Sequence, residues 1–401
     1  LTYALRKEGE FGILFNMEKI SLNQSAEQKV LKGINLIEKG DLPDNNLDNI
    51  WVEFQGSRGQ FLAKGYLSAQ NKGAGWVITR QQEELDLAFF VTLFQMAWNK
   101  RQAYHESKLI TAYRIFNQDG DGFGGLTIDF YDGYSVFSWY NEFIYSQRAV
   151  IIEAFQKALP QIKGGYEKIR FKGLDYESQH LFGQEAPETF TVLENGVCYQ
   201  VFLNDGLMTG IFLDQHEVRG SLVDGLAAGQ SVLNLFSYTA AFSVAAAMGG
   251  AAETTSVDLA KRSRELSQAH FEANHLELDH HRFVVMDVFD YFKYAKRHDL
   301  SYDVIILDPP SFARNKKKTF SVAKDYHNLI AQSLEILNPN GILIASTNAA
   351  NLTISKFKEQ IEKGFGSQAH NYVQTYRLPA DFQINKKDES SNYLKVFTIG
   401  I

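Results

Sequence analysis

A chain of 401 residues, 45% of them hydrophobic and 22% charged, is too long for one ordinary core and predicts two or three globular domains. Its single cysteine, Cys198, excludes an internal disulfide and a cysteine-based zinc cluster, and fits a reducing compartment such as the cytosol. A formal charge of -7 excludes a broadly basic surface, so any nucleic-acid contact has to be local.

Residues 1–16 precede the first methionine, Met17, and receive no role. No apolar run reaches the roughly 20 residues needed to span a bilayer, and no basic-then-apolar leader opens the chain, so a cytoplasmic protein is expected. From Met17 to about Ser68, short apolar runs alternate with turn residues, including Gly56-Ser57-Arg58-Gly59, which predicts a small β-rich domain over 1–68. A second, α+β domain is expected over 69–186. It opens with a strand at 76–79 and a helix whose Leu87, Phe90, Val91, Phe94 and Trp98 share one face. The aspartate- and glycine-rich stretch 117–125 then joins two strands; a tight connection accounts for it better than a metal loop, since no glutamate closes it.

After Pro187 the pattern changes. A hairpin turning at Glu194-Asn195-Gly196 precedes strands at 231–235, 254–258, 283–286, 304–308 and 342–346, with helices starting near Tyr238, Leu259, Val288, Ser321 and Thr353. A last strand is expected at 393–399. This alternation predicts a doubly wound α/β domain over 187–401, with a parallel sheet covered by helices.

Ligands of such sheets sit beyond the carboxyl ends of the strands. The first strand runs through Asn234 into Phe236-Ser237-Tyr238-Thr239, which lets a ligand approach the backbone. No G-x-G-x-x-G follows it, which weakens a dinucleotide reading and the NAD-dependent oxidoreductase that would go with it. Asp258 ends the second strand and is suited to accept two ribose hydroxyls. Asp287 follows the third, where it can receive an adenine amino group, cap the helix at Val288, or do both. The fourth ends in Asp308-Pro309-Pro310-Ser311-Phe312. Its prolines fix the backbone, Asp308 can accept hydrogen bonds from a target amine, and Phe312 can stack on a base; a rigid turn with a core phenylalanine is the alternative.

Together these strand ends resemble a class I S-adenosylmethionine-dependent methyltransferase, and the wider chain resembles the large-subunit rRNA methyltransferase I family. Leu31-Lys32-Gly33-Ile34-Asn35 and Phe61-Leu62-Ala63-Lys64-Gly65-Tyr66 match its PUA domain, and 111–129 its central α/β domain. Thr209-Gly210-Ile211-Phe212-Leu213-Asp214-Gln215-His216-Glu217-Val218-Arg219 matches the segment before its first methyltransferase strand. The resemblance implies S-adenosylmethionine as cofactor, Gln215 and Arg219 beside it, and RNA, ribosomal in kind, as partner. No membrane, DNA or metal is expected, and the oligomeric state stays open, a homodimer included.

The chain departs from that family twice. Ala240-Ala241 stands where two glycines are usual, and Ala345-Ser346-Thr347-Asn348-Ala349-Ala350 stands where members that make 5-methylcytosine carry a cysteine. Carbon-5 methylation needs a nucleophile that adds to the ring, a task for which a hydroxyl is poor. Direct transfer to an amine, with Asp308 accepting and Asn348 positioning, suits the residues present. Arg314, Lys316, Lys317 and Lys318 follow the Asp-Pro-Pro-Ser-Phe turn and are expected to meet phosphates; Lys163, Lys168, Arg170 and Lys172 could extend that track, and solvated charge is the alternative for both. Cytosine-5 methylation, a small-molecule methyltransferase and a noncatalytic RNA-binding protein remain as rivals.

Overall fold

The computed structural model describes residues 17–43, 47–70, 72–314 and 319–401. Its internal contacts divide the chain into two units, Leu1–Ala103 with Arg114–Glu185 and Gln383–Asp388, and Tyr104–Tyr113 with Ala186–Phe382 and Glu389–Ile401.

The first unit starts with β1 (Glu18–Ser21) and α1 (Gln24–Leu31), whose N-terminus is capped by Asn23, 2.9 Å from the Ala26 amide. With β2 (Leu36–Ile37), β3 (Ile50–Gln55), β4 (Phe61–Gln70) and β5 (Gly73–Thr79), β1 forms a sheet of order β1-β3-β4-β5-β2. The boundary expected at 68/69 therefore falls inside β4, and the strand expected to open a second domain lies in the first sheet, between β4 and β2. Gly75 has the character of a loop residue in sequence, but a Cβ there would come within 2.2 Å of the Tyr66 carbonyl oxygen, so close strand approach demands glycine.

α2 (Leu87–Asn99), capped by Asp86, buries Phe90 and Phe94, and the short α3 (Gln102–His105) follows. β6 (Ala112–Asn117), β7 (Leu126–Tyr131), β8 (Tyr134–Trp139), α4 (Glu142–Ser146), α5 (Arg148–Ala158), β9 (Gly164–Ile169) and β10 (Ser178–Gly183) build a second sheet of order β10-β9-β8-β7-β6. In the β6–β7 connection, buried Asp121 accepts Nη1 and Nη2 of Arg101 at 2.8 and 2.6 Å and the Asn117 amide at 2.8 Å. Its acid serves an ion pair. Lys168, expected on an exposed strand face, is fully buried in β9 and cannot extend a phosphate track.

The second unit contains the hairpin β11 (Phe190–Glu194) and β12 (Val197–Val201), turning at Asn195 and Gly196, both with positive φ. There follow α6 (His216–Ser221), β13 (Ser231–Leu235), α7 (Ala241–Met248), β14 (Glu253–Asp258), α8 (Lys261–Ala273), β15 (His281–Val285) and α9 (Val288–Arg297). β16 (Tyr302–Leu307), the small hairpin β17 (Phe312–Arg314) and β18 (Thr319–Ser321), α10 (Val322–Leu334), β19 (Leu337–Thr347), α11 (Ile354–Phe365), β20 (Asn371–Tyr376) and β21 (Lys395–Gly400) complete it.

Seven strands form one sheet, β15-β14-β13-β16-β19-β21-β20, parallel from β15 to β19 and antiparallel beyond. Side chains alternate between its faces: Leu233, Leu235, Ile305 and Leu307 pack with α9, α10 and α11, whereas Val232, Val304 and Ile306 pack with α6 and α7. β20 escapes sequence reading because an edge strand with mostly exposed side chains shows no apolar alternation. No helix among the described residues is long and apolar enough to cross a membrane.

Candidate active site

A cavity of about 450 Å³ opens at the carboxyl ends of the parallel strands, within the size range of small-molecule sites. Its wall begins with the turn after β13, lined by Phe236, Ser237, Tyr238 and Thr239. Phe236, Tyr238 and Ala240 all have positive φ, so α7 starts only at Ala241, later than the expected Tyr238. Such left-handed residues are costly unless the surroundings hold them. Here the Ser237 amide bonds Val257 O at 3.0 Å, the Tyr238 amide bonds Asp258 Oδ2 at 2.9 Å, and Thr239 Oγ1 donates to Gly210 O at 2.7 Å. Ala240 occupies a left-handed position, which explains the usual glycine; it is fully buried away from the cavity, and Ala241 is the alanine that lines it.

Asp258 lines the cavity and braces its wall: besides Tyr238 it accepts the Ala260 amide at 2.9 Å and Ser263 Oγ at 3.0 Å through Oδ1. Asp287 also lines the cavity and caps α9, with Oδ1 accepting the Phe289 amide at 2.9 Å. Asp308 sits at the end of β16, where Oδ2 accepts Gln215 Nε2 at 2.8 Å. Burial pushes its carboxyl above the usual aspartate range, against hydrogen bonds from Ser346 and Gln215 and the charge of Arg219. Pro309 and Asn348 line the same cavity, and Asn348 Oδ1 accepts Ser311 Oγ at 2.8 Å.

Four expectations fare differently. Asn234 is not among the lining residues: its position in β13 turns its side chain to Ser243 Oγ, 3.1 Å away beneath α7. Arg219 lines the cavity, but its guanidinium is held by buried Glu194, with Nε to Oε1 at 2.6 Å and Nη2 to Oε2 at 2.8 Å. Phe312 is 61% exposed at the start of β17 and does not line the cavity. Lys316, Lys317 and Lys318 lie outside the described residues, and of Arg314 only the backbone, at the end of β17, is described.

Sequence reading named mainly polar residues and so missed the apolar half of the wall. Val288 and Phe289 follow the capping Asp287, an available signal, whereas Phe320 arrives from β18 and Met208 from the loop after β12, which only tertiary folding could reveal.

Known proteins resemble this chain in sequence and in fold. The family described as S-adenosylmethionine-dependent methyltransferase matches residues 167–388, and a PUA-like domain matches 20–80. The chain belongs to this methyltransferase family. A Bacillus subtilis protein named as a ribosomal RNA large subunit methyltransferase, YwbD, is 43% identical over 393 residues, covering 95% of this chain and 98% of its own. Ribosomal RNA large subunit methyltransferase I of Yersinia pseudotuberculosis is 28% identical over 357 residues, covering 87% of this chain and 90% of its own. The crystal structure of SMU.776, described as a methyltransferase and complexed with SAH, is 61% identical with a TM-score of 0.93, covering 96% of this chain and 100% of that one.

The protein is thus an S-adenosylmethionine-dependent methyltransferase. The cavity fits the cofactor: aromatic and aliphatic side chains line it, and four carboxylates, Asp214, Asp258, Asp287 and Asp308, face it. The methyltransferase's one cysteine, Cys198, lies in β12 with its amide bonded to Asn274 Oδ1 at 2.8 Å, and it does not line this cavity.

Proposed function

We propose that this methyltransferase modifies a base of large-subunit ribosomal RNA by direct transfer to an amino nitrogen, without a cysteine adduct. The observation that carries this reading is the pairing of an acceptor, Asp308, with the carboxamide of Asn348 at a cavity that no thiol lines. The PUA-like match and the names of the relatives support RNA as substrate.

S-adenosylmethionine, when bound, supplies an electrophilic methyl group on sulfur. Asp258 would hold the ribose hydroxyls and Asp287 the adenine amino group, with Phe289 beside the ring, while Gln215, Phe236, Ser237, Tyr238 and Thr239 line the rest of the site. Asp308 would accept a hydrogen bond from the target amine, turning the nitrogen lone pair toward the methyl carbon. As the C–N bond forms the C–S bond breaks, and the amine proton leaves to Asp308 or to water. Pro309 and Pro310 hold the Asp308 backbone in place.

Labelled methyl transfer to ribosomal RNA from cells lacking this gene, followed by nucleoside mass spectrometry, tests the proposal. One N-methylated nucleoside is the expected result. Label on 5-methylcytosine would overturn direct transfer, and cofactor binding without label on RNA would point to a small-molecule substrate.

A further inference from the structure

Lys395 begins β21 directly opposite Thr347, at the point where β19 gives way to the loop carrying Asn348. It is only 3% exposed and forms no ion pair among the described residues. A buried ammonium without a counter-charge is expensive and persists only where its protons find acceptors. Lys395 Nζ donates to Ala349 O at 2.9 Å and to Tyr393 O at 2.8 Å.

Both partners lead to the site. Ala349 follows Asn348 in a turn closed by the Ala349 amide on Thr347 Oγ1 at 3.2 Å and the Leu352 amide on Ala349 O at 3.1 Å. Tyr393 donates its hydroxyl to Asp214 Oδ2 at 3.1 Å, and Asp214 lines the cavity beside Gln215. One buried cation therefore ties the Asn348 turn to the segment that holds Asp214.

We propose that Lys395 is the positioning residue for Asn348, fixing the turn so that its carboxamide meets the target base; this rests on the proposed reaction, in which Asn348 contacts the base to position its amine beside Asp308. Lys395 touches neither substrate nor cofactor in this arrangement and acts through the backbone. Arg377, whose Nε bonds Leu394 O at 2.8 Å, and Glu389 are the charged groups that act on it. Burial and then Arg377 push the ammonium down to about 8, against Glu389. In mildly alkaline solution the proton leaves, the charge reinforcing both carbonyl bonds is lost, and the turn loosens.

The test compares Lys395→Met, Lys395→Arg, Asn348→Ala and the double variant Asn348→Ala/Lys395→Met in the full chain, measuring methyl transfer to ribosomal RNA and SAH affinity. Lys395→Met should lower transfer about tenfold with SAH affinity held, and the double variant should fall no further than Asn348→Ala, since coupled residues are not additive. Wild-type kcat should fall above about pH 8, and Lys395→Arg, which stays charged, should move that limb upward. Full additivity in the double variant, loss of SAH binding in Lys395→Met, or an unmoved limb in Lys395→Arg would overturn the positioning role while leaving Asn348's own role intact. Unchanged transfer in Asn348→Ala would instead overturn the base-contacting reading and the inference with it.

Discussion

Gln215 donates its Nε2 hydrogen to Asp308 Oδ2 at 2.8 Å, while its Oε1 lies 3.3 Å from Ser346 Oγ, so one carboxamide orients the proposed acceptor of the target amine. The proposed transfer needs Asp308 ionised. Burial already raises its pKa, and Gln215 opposes that rise, so Gln215→Leu should raise it further. The acid limb of the kcat/KM profile should then move to higher pH, and transfer at neutral pH should fall roughly 10–100-fold, the worth of a hydrogen bond to a charged group. An unmoved limb would remove Asp308 from the chemistry.

Asp258 has a double duty that separates two substitutions. Asp258→Ala removes the proposed ligand of the cofactor ribose and also the acceptor for Tyr238, Ala260 and Ser263, so SAH affinity should drop at least about tenfold and the melting temperature should drop with it. Asp258→Asn keeps one acceptor oxygen and should recover part of the stability. Calorimetry and thermal melts without cofactor check both, and an unchanged melt in Asp258→Ala would show that the bracing is unimportant.

The Arg219–Glu194 pair is fully buried, and Tyr199 and Phe242 rings lie within 6.0 and 5.5 Å of the guanidinium. Removing one partner leaves an uncompensated buried charge, at a cost of about 3–5 kcal/mol. Arg219→Met should therefore destabilise the apo-protein by that amount in denaturant unfolding, and Glu194→Gln should do likewise. A drop in SAH affinity with stability untouched would instead make Arg219 a cofactor ligand first.

His216 Nε2 lies 3.0 Å from Asp381 Oδ1 in the second unit. Burial works against the imidazolium, but the hydrogen bond and charge of Asp381 outweigh it, and the His216 pKa is raised above 6.5. The folded state thus binds this proton more tightly than the unfolded chain. The pair's stabilisation is fully present below the ordinary histidine value and is lost as pH rises through the raised one. Melts from about pH 6 upward should show that loss in the wild type, and His216→Gln should flatten it.

The alternation of apolar strands and helices gave away the parallel sheet, because strands buried on both faces are mostly apolar, and Leu233, Leu235, Val304, Ile305 and Ile306 are all buried. Strand ends ordered by that sheet made Asp258, Asp287 and Asp308 readable, since a parallel topology brings consecutive carboxyl ends to one rim. The domain boundary was not readable: Gly73 and Gly75 look alike in a loop and in a strand pressed against its neighbour, and only the positions of Ile37 beside Gly73 and of Tyr66 beside Gly75 distinguish the two.

What the sequence determined by itself was the layer architecture and the run of acids at the ends of the parallel strands, because periodicity and residue type are local properties of the chain; that Asp214 lines the same cavity was not legible there. Only the tertiary structure decided which way Asn234 faces, that Glu194 claims Arg219, and that Lys395 supports the turn beside Asn348. Those partners lie 9, 25 and 46 residues apart in sequence, and a hydrogen bond or a buried charge pair is set by distance in space, which no local pattern records.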